Sequence, residues 1–290
     1  MAKYQHYRVL AWLLVLPQLC LTMIFFIWPV MKLITQSLFL GDAFGLYQQF
    51  AGWSNFTFLY TDMAYLKALA VTACLTCGIT LGAMALGLMM AWFVWYRTTS
   101  ALFYKCALFW PYAVAPAVAA LLWKFLWMPH LGWFAEFASY CGYEINYMIE
   151  PQAAFILVML TACWQQFSYN FLFYLMALKG LPPCFMEAAK LDGASAWQQF
   201  WHIGLPLLSP TSLFLFAMNV LYAFFDTFGI VDVLTHGGPN HATTTLMYKI
   251  YQDGFLNLDA GQAAAQSVLF MLGLLMLLLV QFKYMNKKST

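Results

Sequence analysis

The residues that could do chemistry are few in this chain, and they lie far apart. Cys74 and Cys77 have the C-x-x-C spacing of a redox or metal pair. The pair falls inside an apolar run with no histidine nearby, so we interpret both as ordinary buried thiols. His236 and His241 bracket the turn "HGGPNH". Two histidines alone rarely make a metal site, and we interpret this turn as a solvated loop.

Catalytic motifs are missing as well. Gly193-Ala-Ser195-Ala has the form of a short serine nucleophile motif, but no histidine is expected on a neighbouring helix face to activate the hydroxyl. The chain contains no G-x-x-x-x-G-K-[ST] and no H-E-x-x-H. The sequence therefore predicts no enzyme, no metal and no cofactor bound in this chain.

The composition defines the class of protein. Of 290 residues, 64% are hydrophobic and 8% are charged, with a mean hydropathy of +0.72. A soluble domain carries roughly a quarter charged residues, and a water-soluble surface cannot be built from so few. The sequence predicts an all-α integral membrane protein, a single transmembrane domain over 1–290, with the lipid bilayer and no nucleic acid as a partner.

Six runs are long and apolar enough to cross a bilayer, each needing roughly 20 residues. The first run is longer than a signal-peptide core and lacks a clear cleavage site, so we expect a retained helix. The predicted spans are 9–31, 67–94, 103–128, 153–178, 205–228 and 263–283.

The distribution of charge predicts the orientation. With the N-terminus inside, cytoplasmic segments hold nine of the 13 basic residues, and eight acids from Asp42 to Asp259 fall outside. Both termini are then cytoplasmic, in the inner membrane of a bacterium. The nine cytoplasmic basic residues are Lys3, Arg8, Arg97, Lys105, Lys179, Lys190, Lys283, Lys287 and Lys288.

Small residues mark one face of the second span. Gly78 and Gly82 have the G-x-x-x-G spacing that lets another helix approach closely. Packing within the chain and a dimerisation face are both consistent with this spacing.

One polar segment, residues 182–206, interrupts the apolar pattern, and we call it the elbow. Pro182 and Pro183 end the fourth span. A short helix to Leu191, a turn at Asp192-Gly193 and a second short helix from Ser195 follow. The residues alone leave two interpretations open: an amphipathic anchor at the headgroups, or a docking surface for a soluble partner.

The text of the elbow, "EAAKLDGASAWQQFWHIGLPLLSP", resembles the EAA motif of permease subunits of ABC importers. In that family the loop docks on a separate ATPase, which explains the missing phosphate loop. The resemblance implies coupling roles for Glu187, Ala188, Ala189, Asp192, Gly193, Ile203, Leu205 and Pro206.

Other segments extend the resemblance along the chain, among them "WPYAVAP", "YNFLFYLMALKGLP" and "GGPNHATTTLMYKIYQDGF". They are similar to carbohydrate importers of the maltose type, and most of all to permeases for sn-glycerol-3-phosphate. The resemblance implies a six-helix type I (MetI-like) permease that forms half of a translocation pathway. Its expected partners are a second permease, an ATPase homodimer that binds ATP and Mg, and a soluble substrate-binding protein.

Polar side chains inside spans are costly and face a cavity or another helix. At helical spacing the fourth span presents Gln166, Tyr169 and Asn170. The fifth presents Asn219, Tyr222 and Asp226 on one face. We predict that these six line the pathway, with interhelical hydrogen bonding as the alternative.

The outer loop 229–262 carries Gly237, Gly238 and Pro239, which either contact the docked binding protein or form a stiff turn after the fifth span. The functional prediction is an importer permease for sn-glycerol-3-phosphate. The alternatives are a permease for another sugar or a glycerophosphodiester, or an ion-coupled secondary carrier.

Overall fold

The computed structural model describes residues 2–41, 48–97 and 106–289, and its helices confirm the all-α class. Two charge assignments, Asp42 and Lys105, lie outside the described residues, as do positions 103–105 of the predicted third span. Residue contacts group into two compact units: Met1–Asp62 with Ile250–Leu274, and Met63–Lys249 with Leu275–Thr290. The single-domain prediction stays a prediction.

The first unit begins with one long helical run. It consists of α1 (Ala2–Thr22), a π-helical turn (Met23–Ile27) and α2 (Trp28–Gln36). A short antiparallel ribbon follows, β1 (Phe39–Gly41) with β2 (Gln48–Phe50), and then α3 (Ser54–Thr61). The Asn55 amide donates to the carbonyl oxygens of Ser37 and Phe39 at 2.9 and 3.1 Å, which fixes α3 on the ribbon.

The first unit also contains a buried polar cluster around Asp253. The segment comprises α14 (Leu246–Tyr251), a π-helical turn (Gln252–Leu256) and the start of α15 (Ala260–Ser289). Asn257 and Gln266 donate to the Asp253 carboxylate at 3.0 and 2.6 Å. These bonds satisfy an acid that is only 8% exposed and join the π-helical turn to α15.

The second unit is built on two long helices, α4 (Met63–Arg97) and α8 (Pro151–Lys179). A side chain at Gly78 or Gly82 would meet Met159 or Cys163 of α8 at 2.4 or 3.0 Å. The small-residue face of the second span therefore packs within the chain, and the close approach is what its glycines permit. Cys74 and Cys77 of α4 are both exposed, so the expectation that they are buried was wrong.

The predicted third span is not one straight helix. It is broken into α5 (Cys106–Ala113) and α6 (Pro116–Leu126), which meet at a bend of 106°. Val114 and Ala115 are both extended. Pro116 accounts for Ala115, because a residue directly before proline is pushed out of the helical region. α6 is followed by α7 (Trp133–Tyr140).

The second half of this unit carries the elbow and the fifth span. The elbow contains α9 (Pro183–Leu191), α10 (Ala196–Gln199), a π-helical turn (Phe200–Gly204) and α11 (Leu205–Leu207). The fifth span is α12 (Ser209–Phe225) continued by α13 (Thr227–Leu234), so it begins and ends later than predicted. Leu175, Leu208 and Leu215 lie in one buried cluster that joins α8 to this region.

Four described helical segments meet the length and hydropathy of a membrane span, and the bent pair α5–α6 makes a fifth candidate. α8 has 29 residues but is not among them. Gln165, Gln166 and Asn170 lie in its middle and lower its hydropathy, while their burial hides them from lipid. The count of six crossings stays a prediction.

Candidate functional site

The turn of the elbow is a complete helix C-cap. The N–H of Gly193 donates to the carbonyl oxygen of Lys190 at 3.1 Å, and that of Ala194 to Ala189 at 2.9 Å. This pair of bonds is the Schellman pattern, which requires a left-handed residue at the position of Gly193. Gly193 has φ +75°, and the space around its Cα is open. The glycine is therefore demanded by backbone conformation and not by crowding.

The second helix of the elbow begins with a capping box. Ser195 Oγ accepts from the N–H of Gln198 at 3.3 Å, and the Ser195 N–H donates to Gln198 Oε1 at 2.8 Å. The hydroxyl that had the form of a nucleophile is thus a helix cap. The Gln199 side chain donates to the Ala194 carbonyl oxygen at 2.7 Å and ties the two short helices together.

The predicted coupling residues divide by exposure. Glu187, Ala188, Asp192, Gly193 and Pro206 are exposed, whereas Ala189 is buried and Ile203 and Leu205 are half-buried. The first group forms a surface that a partner can reach, and the second holds the elbow on the unit.

Sequence reasoning missed two apolar residues on that surface. Leu191 is 88% exposed at the end of α9, and Phe185 is 48% exposed near its start. Lys190 and Asp192 flank Leu191, and Glu187 lies two residues after Phe185, so the exposed surface of α9 is mixed in character. The signal was present in the sequence, since Phe185 and Leu191 are apolar side chains on a helix expected in water.

The elbow packs on the end of α4. The rings of Trp92 and Phe200 are 5.1 Å apart, and a side chain at Gly204 would meet the Trp92 ring at 2.8 Å. The Lys190 amine lies 5.9 Å from the centre of the Tyr96 ring. The elbow therefore contacts the second span, in addition to joining the fourth and fifth spans along the chain.

A cavity of about 430 Å³ lies at the break between α5 and α6, and we call it the break cavity. Gln166, Tyr169, Tyr222 and Asp226 line it, which brings together four of the six predicted pathway residues. Of the described residues that line it, Asp226 carries the one acid and none is basic. The rest of the wall consists of tyrosines, glutamines and apolar residues.

The break itself supplies part of the wall. The Gln165 amide donates to the carbonyl oxygen of Val114, which has no helical partner, and Tyr222 Oη donates to Gln165 Oε1 at 2.9 Å. The rings of Tyr112 and Tyr169 lie 5.2 Å apart across the cavity wall. Gln165 and Tyr112 were missed from the sequence, because only the bend turns them toward this space. Irregular backbone at membrane depth is tolerated where it lines a cavity.

Asn170 and Asn219 do not line the break cavity. Each is 0% exposed, and their amides pair with each other between α8 and α12. For these two residues the structure shows the alternative, a hydrogen bond between helices, since their amide groups bond to one another.

The outer loop is a rigid turn held by threonines. Gly237 is buried with φ +78°, and Thr244 Oγ1 donates to its carbonyl oxygen at 2.9 Å. Thr243 Oγ1 likewise donates to Gly238 at 2.8 Å, and Gly238 and Pro239 are half-buried. The exposed positions of this loop are instead its neighbours His236, Asn240 and His241.

The fold and the sites define a class of protein: a helical membrane component with an exposed polar elbow and a polar cavity at the bend between α5 and α6. Residues 78–289 match the model of the family described as "Binding-protein-dependent transport system inner membrane component", and the chain belongs to that family. It is therefore a transport component and not an enzyme, and the membership argues against an ion-coupled carrier.

Two relatives match this chain over nearly their whole length. The chain is 43% identical over 281 residues to the sn-glycerol-3-phosphate transport system permease protein UgpA of Rhizobium meliloti (strain 1021), covering 97% of this chain and 96% of the relative. It is 44% identical to UgpA of Escherichia coli (strain UTI89 / UPEC), covering 97% and 95%.

Two solved structures share the fold. One is the crystal structure of a bacterial ABC transporter involved in the import of the acidic polysaccharide alginate, with a TM-score of 0.86 at 19% identity, covering 99% of both chains. The other is a bacterial alginate ABC transporter in complex with alginate pentasaccharide-bound periplasmic protein, with a TM-score of 0.84 at 20% identity, covering 97% of this chain and 95% of that one.

Proposed function

We propose that this chain is the permease subunit of an ATP-driven importer for sn-glycerol-3-phosphate. The observation that carries the proposal is the identity of 43–44% to UgpA permeases over 97% of the chain. That similarity extends through both the elbow and the residues of the break cavity. An elbow with an exposed surface fits a subunit that receives motion from a separate ATPase.

The proposal includes a specific assembly. A second, UgpE-like permease completes the pathway, and a UgpC-like ATPase homodimer binds ATP and Mg and docks on the elbow. A UgpB-like binding protein delivers the substrate on the outer side, where it meets the loop around Gly237, Gly238 and Pro239. Both termini of this chain lie in the cytoplasm of a bacterial cell, by the charge asymmetry of the loops.

The mechanism follows from how the elbow is attached. Closure of the ATPase displaces α9, and Gly193 lets the turn keep its shape under load through its paired backbone bonds. The contact of Gly204 and Phe200 with Trp92 carries the displacement to α4. α8 and α12 follow, because the chain joins both to the elbow. The break cavity lies between these helices, so their movement changes its access.

The charge of the break cavity bears on how the substrate is recognised. A phosphate is held by Arg, Lys or a helix N-terminus. No described residue lining the cavity is basic, and the start of α6 at Pro116 is a helix N-terminus in its wall. We infer that the binding protein supplies most of the phosphate recognition. Neutral amides and tyrosines then allow passage without tight binding.

The same observation favours a second candidate. A neutral sugar or a glycerophosphodiester also suits a wall of Tyr112, Gln166, Tyr169 and Tyr222. A neutral sugar hydrogen-bonds to amides and stacks on aromatic faces without needing a cation, whereas a phosphodiester carries one negative charge, fewer than the phosphate monoester of sn-glycerol-3-phosphate.

The test is uptake into proteoliposomes that contain the chain with its second permease and ATPase. Labelled sn-glycerol-3-phosphate and the cognate binding protein are supplied outside, and ATP inside. We expect ATP-dependent uptake that an excess of unlabelled substrate abolishes. A maltose-type sugar and a glycerophosphodiester serve as competitors, and an ion gradient without ATP is the control.

Each outcome decides between the candidates. Stronger competition by the sugar or the diester than by sn-glycerol-3-phosphate would replace the substrate and keep the importer. Uptake driven by the ion gradient alone would overturn the importer.

A further inference from the structure

A second cavity lies away from the elbow and the break cavity, in the second unit. It has a volume of about 240 Å³ and sits where the end of α6, the 144–150 loop and the start of α8 meet. We call it the rim cavity. It shares no lining residue with the break cavity.

Two residues that line the rim cavity carry hydrogen-bond donors with no partner among the residues that the structure describes. The donors are the indole N–H of Trp127 and the hydroxyl of Tyr147, and both atoms are buried. Tyr147 as a whole is 3% exposed. Burial raises the pKa of Tyr147, which lies in a loop outside the spans, so its hydroxyl keeps the proton that it could donate. A buried donor without a partner is unfavourable, and each such group calls for an explanation.

Tight turns hold the backbone at both Trp127 and Tyr147. Trp127 ends α6 at a tight turn, where a side chain on Gly132 would meet the Leu126 carbonyl oxygen at 2.3 Å. Tyr147 is held by a turn in which Asn146 Oδ1 accepts from the Met148 N–H at 3.0 Å. These turns hold the backbone from which the two side chains extend to the cavity wall.

Apart from Glu150 and Gln152, the rest of the lining of the rim cavity is apolar. Ile156 and Leu160 line it one turn apart on α8, and they are 48% and 42% exposed. Helix ends joined by a polar loop lie at the boundary between hydrocarbon and headgroups, since irregular backbone is excluded from lipid. This is the level where Trp and Tyr hydrogen-bond to lipid.

Acidic residues near the opening of the rim cavity favour some lipid headgroups over others. Glu150 lines the rim cavity and is exposed. Glu136 and Glu144 line an adjoining cavity that shares Ile145 with it. A cluster of acids repels an anionic headgroup and attracts an ammonium group.

We propose that the rim cavity binds a glycerophospholipid with an ethanolamine headgroup. One ester carbonyl oxygen accepts from Trp127 and Tyr147, the acyl chain follows Ile156 and Leu160, and the ammonium group meets Glu150. The cavity is too small for a whole lipid, so it holds the ester region, and the chains extend into the bilayer.

The test is native mass spectrometry of the full-length chain in its purified transporter, titrated with phosphatidylethanolamine, phosphatidylglycerol and an ether-linked phosphatidylethanolamine that has no ester carbonyls. We expect Tyr147→Phe and Trp127→Phe each to weaken binding of the ester lipid about fivefold, as for loss of one hydrogen bond. Glu150→Gln reduces the preference for ethanolamine over glycerol headgroups. Tyr143→Phe and Trp133→Phe are matched controls, because these side chains are 69% and 82% exposed and do not line the cavity.

Binding of the ether lipid to the unaltered chain tests the proposal even if a variant fails to fold. It should bind the unaltered chain about as weakly as the ester lipid binds the phenylalanine variants. Equal binding of ether and ester lipids would show that the two donors meet water instead. Preferred binding of phosphatidylglycerol would overturn the headgroup assignment.

Discussion

Asn170 and Asn219 form a reciprocal amide pair between α8 and α12. Asn170 Nδ2 donates to Asn219 Oδ1 at 2.9 Å, and Asn219 Nδ2 donates to Asn170 Oδ1 at 2.8 Å. The remaining amide protons go to the carbonyl oxygens of Gln166 and Leu215 one turn earlier. Every donor of the pair is thus satisfied in a fully buried position, so the pair joins two spans beside the break cavity.

The first prediction concerns this pair. Asn170→Ala and Asn219→Ala should each lower the stability of the assembled transporter by about 1 kcal/mol, because the partner amide is left without its bonds. The double variant should lose less than the sum of the two, since one interaction is removed twice. Thermal unfolding in detergent measures the stability, and uptake per assembled complex measures function. Normal stability with lost uptake would contradict this structural role and favour the prediction that both residues line the pathway.

The second prediction concerns the turn of the elbow. Gly193→Ala should lower stability by about 1–2 kcal/mol through its left-handed backbone, and Gly193→Asn by less. Gly193→Pro also removes the N–H that bonds Lys190, so it should abolish substrate-stimulated ATP hydrolysis while the chain still inserts in the membrane.

Gly142 provides the matched control for that series. It has φ +86° and open space around it, as Gly193 does, but it lies in the loop after α7. Gly142→Ala should be destabilising to a similar extent without uncoupling ATP hydrolysis. Equal uncoupling by both alanine variants would assign the effect to general instability.

The third prediction concerns the exposed surface of α9. Leu191→Asp should reduce co-purification of the ATPase, since this apolar side chain is 88% exposed where a partner would cover it. Leu131→Asp, at a leucine that is 74% exposed in the turn after α6, is the control and should leave ATPase recovery unchanged. Full recovery with Leu191→Asp would remove this residue from the docking surface.

The helices and the turn of the elbow could be predicted from the sequence, because the residues that determine them are close together in the chain. Pro183, Gly193 and Ser195 set the start, the turn and the cap within a few residues of each other. The bend in the third span was not predicted. A continuous apolar run hides a break, although the prolines at 111 and 116 are compatible with one.

The pathway residues show a second limit of the sequence. Asn219, Tyr222 and Asp226 share one face of a helix, yet only the last two line the break cavity. Helical spacing says which side chains point the same way, but not where along the axis a neighbouring helix covers them. Asn219 is covered because Gly87 of α4 lets Asn170 and α8 approach closely, with 2.6 Å between Asn170 Cβ and the position of a Gly87 side chain.

The fourth prediction concerns the wall of the break cavity. Gln165→Leu should leave the Val114 carbonyl oxygen and the Tyr222 hydroxyl without their partner, and so disturb the break. We expect lower uptake with normal assembly and ATPase recovery. Tyr222→Phe removes only the bond to Gln165 and should have a smaller effect. Assays of uptake and ATPase content on the same proteoliposomes separate the two quantities, and unchanged uptake in Gln165→Leu would contradict a role for the break.

The last prediction tests whether the elbow acts on the second span. Gly204→Ala places a methyl group where the Trp92 ring lies, at 2.8 Å, and should push the elbow away from α4. Substrate-stimulated ATP hydrolysis should then fall while ATPase binding persists, because the docking surface on α9 is untouched. Trp92→Phe in the same chain reduces the ring that collides but keeps an aromatic side chain beside Phe200, and should restore part of the stimulation. Gly180→Ala is the control, since its nearest neighbour would be at an ordinary 3.4 Å. Failure of Trp92→Phe to rescue Gly204→Ala would contradict transmission through the contact with α4.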